Sequence, residues 1–206
     1  MIIQMRKLLA LLLASFIFVC GCVSTTPIHF AEKPLDADAL HKTAYIDQNV
    51  SQTQEDAIIE AMLEWQCTTN GKVHFDIVLH ATYENSYRYI TNPTASLVVM
   101  NVPASHPDII TSDKQLIKNG QYTLGLYDHE AGIPEILFVE KRIKPNEYKI
   151  VAMHEVGHGL GIQHLKEKNS IMNASIDTLT DHITRNDLIE FCNLYWCDEK
   201  EMHQCE

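Results

Sequence analysis

Residues 154–164 read His-Glu-Val-Gly-His-Gly-Leu-Gly-Ile-Gln-His, the pattern H-E-x-x-H-x-x-G-x-x-H, and this stretch constrains the fold most. Residues four apart share one face of a helix, so His154 and His158 aim two imidazoles at one point. Two imidazoles do not complete a tetrahedral zinc site, which takes a third protein ligand and keeps one position open. Gly161, lacking Cβ, accepts the left-handed conformation that ends a helix and turns the chain back. His164 then returns as the third nitrogen. Glu155 stands beside a ligand without being one, where it can take a proton from water that the metal activates. The pattern predicts a single catalytic zinc (Zn2+) on His154, His158 and His164, with Glu155 as the catalytic base.

The extended motif resembles that of the metzincin metalloproteases, and the form H-E-V-G-H-G-L-G-I-Q-H is most similar to their matrixin-like branch. The resemblance implies an α+β, zincin-like domain: a twisted mixed sheet of about five strands with three main helices. It implies a zinc-dependent endopeptidase acting on peptide or protein substrates. Metzincins also carry a methionine turn beneath the metal, and Ser170-Ile171-Met172-Asn173 resembles it, with Met172 packed under the ligands. Astacin-like and serralysin-like relatives place a metal-reaching tyrosine two residues after that methionine. Ala174 stands there, as on the matrixin-like side. Latent members carry a propeptide cysteine that blocks zinc, and nothing in this chain resembles that segment.

The N-terminus predicts export. Arg6 and Lys7 precede an apolar run from Leu8 to Cys20, too short to span a bilayer and suited to a signal peptide over residues 1–21. The run ends in Val19-Cys20-Gly21-Cys22, which resembles a bacterial lipobox with Cys22 as the lipidated residue. An ordinary secretory signal is the alternative, and it too exports the protein. The expectation is a lipoprotein held to the membrane by its N-terminal lipid, at the outer membrane or facing the periplasm, or at the cell surface. Residues 22–42 read as a tether and 43–206 as the catalytic domain, acting as a monomer.

Without residues 1–21, 14 basic side chains face 27 acidic ones, a net charge of −13. So acidic a chain is a poor partner for nucleic acid or anionic lipid surfaces. Four further cysteines (Cys67, Cys192, Cys197 and Cys205) suit an oxidising compartment, with two disulfides and one of them tying Cys67 to the C-terminal tail. A second metal site from Cys192, Cys197, His203 and Cys205 is the rival.

Along the chain, Ser51 and Thr53 start a helix whose apolar face takes in Ile58, Ile59, Met62, Leu63 and Trp65. Val73 to Leu79 alternates as a strand with one face in the core, and His74 and His80 on it are left outside any metal site. Ala95 to Val102 reads as a central strand covered on both faces. Pro103 to Gly120 shows little pattern. Tyr122 to Tyr127 and Pro134 to Glu140 read as two strands. By the resemblance, Thr123-Leu124-Gly125-Leu126 is the edge along which substrate backbone pairs. Asn146 is expected to cap the motif helix, and Thr184 with Asp187 a last amphipathic helix through Tyr195. Two rivals share these residues: a binding lipoprotein with zinc as a structural staple, and a zinc hydrolase of cell-wall peptides. Glu155 and the open position argue against the staple.

Overall fold

Strand β1 (His41–Asp47) alternates as period-two geometry demands, with Ala44 and Ile46 fully buried and His41 facing out. Helix α1 (Gln52–Thr68) follows, and the Ser51 backbone N–H donates to the Gln54 side chain at 2.8 Å, as a capping box requires. Ile58, Met62 and Trp65 form its buried stripe, whereas Leu63 falls outside it and is 51% exposed. Strand β2 (His74–Ala81) runs parallel to β1 on one side and β3 (Ser96–Asn101) parallel to it on the other. Helix α2 (Pro107–Leu116), the hairpin of β4 (Gly125–Asp128) and β5 (Glu135–Phe138), helix α3 (Tyr148–Gly159) and helix α4 (Arg185–Tyr195) complete the chain. The structure is a computed structural model and describes residues 40–82, 90, 92–129, 132–175, 180–202 and 205. The leader 1–21, all of the tether, Cys22 included, but its last three residues, and His203 lie outside them.

The five strands lie in the order β2-β1-β3-β5-β4, with β4 antiparallel to β5 and the other pairs parallel. This is the expected α+β zincin-like sheet. Its middle strand β3 is buried on both faces, which its unbroken apolar run anticipated. One face packs against α1, α3 and α4 through Trp65, Met153, Phe191 and their neighbours. On the other face a smaller cluster joins Val98, Met100 and Leu137 to Ile109 of α2.

Three expectations change. Helix α2 occupies the patternless stretch; Pro107 pre-sets its first turn, but Ile109 is its one fully buried apolar residue, so no stripe was visible. Val73, just ahead of β2, and Phe75 within it are buried as expected, yet Leu79 is 41% exposed, because β2 is an outer strand with only β1 beside it. Asn146 does not cap α3. A 3-10 turn, Pro145–Glu147, precedes that helix, and Lys144 closes it through Glu147 at 2.8 Å. The cysteines pair as Cys67–Cys205 and Cys192–Cys197, which leaves the rival cysteine metal site without thiolates.

Candidate metal centre

Helix α3 ends as its motif requires. Gly161 has φ +85°, the Ile162 N–H donates to the Gly157 carbonyl at 3.0 Å, and the Gly161 N–H donates to the His158 carbonyl at 2.8 Å. This is a Schellman motif. It reverses the chain and brings His164 back to the helix. The Nε2 atoms of His154, His158 and His164 then lie 3.1–3.2 Å apart.

The other ring nitrogens explain what those atoms can hold. His154 Nδ1 donates to the Ile171 carbonyl at 2.7 Å, and His158 Nδ1 donates to the Ile162 carbonyl at 2.8 Å. A carbonyl only accepts, so in both rings the proton sits on Nδ1 and the Nε2 lone pair points inward. Burial, reinforced by the neighbouring His158, holds His154 at a pKa of about 3, and burial holds His158 at about 4, so both stay neutral donors near pH 7. Converging lone pairs repel one another unless a cation sits between them. Tetrahedral zinc with bonds of about 2.0 Å to nitrogen separates its ligands by roughly 3.3 Å, close to the spacing found. The donor set fits zinc.

Glu155 is buried, 4% exposed, and burial raises its carboxyl pKa to about 8, opposed by a hydrogen bond from the Tyr127 backbone. That contact places the outermost strand β4 directly over the carboxyl group. A Cβ on Gly125 would come within 2.6 Å of Glu155 Oε1, so glycine is required there for close approach. The chain leading into β4 is itself pinned. Asp113 on α2 accepts the Thr123 N–H at 2.9 Å, and Arg142 grips Asp113 with two hydrogen bonds of 2.8 and 3.0 Å while also donating to the Thr123 carbonyl. Sequence reasoning missed both residues.

Beneath the histidines, the methionine turn is where the motif spacing put it. Met172 is fully buried, and the added Cβ of any side chain at Gly157 would collide with its sulfur. The glycine between the two helical histidines is therefore the notch into which Met172 fits. Trp65 lies on the same notch, and its Nε1–H donates to the Met153 carbonyl at 2.9 Å, tying α1 to α3 one residue before His154. Asp187 does more than cap α4. Fully buried, it accepts hydrogen bonds from Ser170 Oγ, from the Ile171 and Met172 N–H groups, and from the N–H and hydroxyl of Thr184. It thereby sets the turn whose Ile171 carbonyl orients His154. From the end of α4, the Tyr195 hydroxyl donates to the Leu160 carbonyl at 2.9 Å and braces the end of α3.

A cleft of about 750 Å³ runs between β4 and the histidines, lined also by Tyr122, Leu124, Ile150 and Asn173. Apart from Glu155 it holds no Asp, Glu, Lys or Arg among its described lining residues. Among solved structures, a zinc-dependent peptidase from Methanocorpusculum labreanum (strain Z) is similar at 10% identity, over 72% of this chain and 98% of that chain, with a TM-score of 0.43. No curated protein matches. The family model for Matrixin matches residues 25–196, most of the chain and all of the site just described. The chain belongs to the matrixin family.

Proposed function

We propose that this metalloprotease is an endopeptidase, with one catalytic zinc held by Nε2 of His154, His158 and His164 and with Glu155 as general base. The observation that carries the reading is the convergence of three lone-pair nitrogens beside a buried carboxyl group, at the foot of an outermost strand. Zinc held by these three nitrogens would polarise the scissile carbonyl and would lower the pKa of water from ~16 towards ~7. Substrate backbone adds to β4 as a further strand, which draws a peptide bond across Glu155. Glu155 accepts the proton of the attacking water and delivers it to the leaving amine, restrained by the Tyr127 N–H. Met172 supports the histidines from below and touches no substrate.

The test is digestion of denatured casein with a chelator control, together with zinc counted by atomic emission. His158→Ala should lose near-stoichiometric zinc and cleavage together; unchanged metal content would overturn the ligand assignment. Wild-type protein that keeps zinc but cuts neither casein nor a peptide library would favour a binding lipoprotein with zinc as a structural staple.

Asp113→Ala should act on the substrate edge. Loss of charge-assisted hydrogen bonds costs about 1–3 kcal/mol of stability, and a loosened Thr123 should raise KM more than it lowers kcat. Thermal melting and peptide kinetics check this, and unchanged KM would remove Asp113 from any positioning role.

We also propose that the protein is an exported monomeric lipoprotein anchored through Cys22, on the strength of Val19-Cys20-Gly21-Cys22. No helix of the described residues is long and apolar enough to cross a membrane. Cells fed an alkyne fatty acid should label the wild type and not Cys22→Ser; labelling that survives the substitution refutes the anchor.

A further inference from the structure

We propose that His41, His74 and Asp76 form a second metal site, remote in sequence from the H-E-x-x-H helix, for a borderline divalent cation such as zinc, nickel or copper(II). The parallel pairing of β1 and β2 sets His41 directly opposite His74, and Asp76 follows two residues on, so all three side chains leave the same face of the sheet. Asp76 divides its carboxylate between the two rings, with Oδ2 2.9 Å from His41 Nε2 and Oδ1 3.4 Å from His74 Nε2. The donor atoms of the three residues all lie within 4.8 Å of one another. The intervening Phe75 is 7% exposed and its partner across the pair, Lys42, is 6% exposed, so the backbone that carries the donors is anchored from the opposite face.

Two imidazoles and a carboxylate make a donor set suited to zinc, copper and nickel rather than to calcium or magnesium, which take oxygen ligands. The side chains are 57%, 50% and 58% exposed, which leaves water access to complete the coordination and makes the site weaker than the buried triad. Stability alone gives little reason for the arrangement, because exposed ion pairs contribute next to nothing. Asp76 is held below the usual carboxylate range, chiefly by its hydrogen bond from His41, and so remains an ionised donor in mildly acid solution. A cation bound here would clip the first residue of β1 to β2, at the point where residues 1–40 join the sheet.

The site is independent of the catalytic assignment, and one experiment keeps the two apart. Full-length protein is dialysed against zinc rising to ~100 µM, and bound metal is counted by atomic emission. Wild type should take up two equivalents, the second more weakly. His41→Ala with His74→Ala should lose only the weaker equivalent and cleave casein at the wild-type rate, while His158→Ala should lose only the tighter one. Asp76→Asn should weaken the second equivalent by at least ~10-fold, the scale on which altered donor surroundings act. A wild type that holds a single equivalent, or a double variant that retains the second, overturns the proposal whatever becomes of the His154 site. In either case the three residues are a hydrogen-bonded trio only.

Discussion

Glu155→Gln should lower peptide cleavage by about 10²–10⁴-fold while leaving zinc content at the wild-type level. The substitution keeps volume and shape in a pocket where the residue is 4% exposed, and all three imidazoles stay in place. What disappears is the buried carboxyl group under β4, the group placed to hold a proton between attack and departure of the amine. The measurement is kcat/KM on a fluorogenic peptide, with metal counted in the same preparation. Cleavage that survives the change rules out Glu155 as the base. If the zinc were only a structural staple, the same variant would differ from wild type in nothing.

Asp187→Ala should have the largest effect on stability, about 3–5 kcal/mol, because it strands buried donors on both sides of the carboxyl group. Ser170 and Ile171 lose their acceptor on one side, where the Met172 N–H keeps only Ser170 Oγ, and Thr184 loses its acceptor on the other. For a domain of this size the melting temperature should fall by roughly 10 °C. The loss reaches the metal centre as well, since the Ile171 carbonyl that orients His154 belongs to the same turn. Zinc affinity should drop about 10–100-fold, as when a partner behind a ligand is removed. Asp187→Asn is the sharper control: it keeps the volume but points amide donors at donors. A loss below 1 kcal/mol by urea titration would show that water replaces the carboxyl group, and that the turn holds without it.

The site was legible in proportion to how locally it is built. His154, His158, Gly161 and His164 lie within eleven consecutive residues, so helical spacing and one glycine turn sufficed to bring them together. Met172 could be placed by its distance along the chain. Asp187 carried only the local signal of a cap, because its contacts with residues 170–172 are long-range and leave no periodicity. Trp65 read correctly as packing, but nothing in α1 revealed that its indole holds the Met153 carbonyl. Gly157 was hidden in an unspecified place of the motif, although a glycine inside a buried helix is itself a sign of close approach. Helix α2 escaped because a helix with one fully buried apolar residue has no amphipathic period, and with it went Asp113 and its hold on Thr123. The strands were visible wherever both neighbours cover them, as in β3, and blurred at the outer strand β2.

The Cys67–Cys205 disulfide spans 138 residues, from the end of α1 to the far end of the tail. Every histidine of the triad, the methionine turn, α2 and both strands of the hairpin lie inside that ring of covalent bonds. A protease at working concentration is surrounded by copies of itself, and its exposed loops are substrates like any other. One cut within the ring opens the circle without releasing a piece, so the severed ends stay packed on the same core. Nicked molecules should therefore migrate as a single species on a non-reducing gel, separate into fragments once thiol is added, and keep their zinc until then.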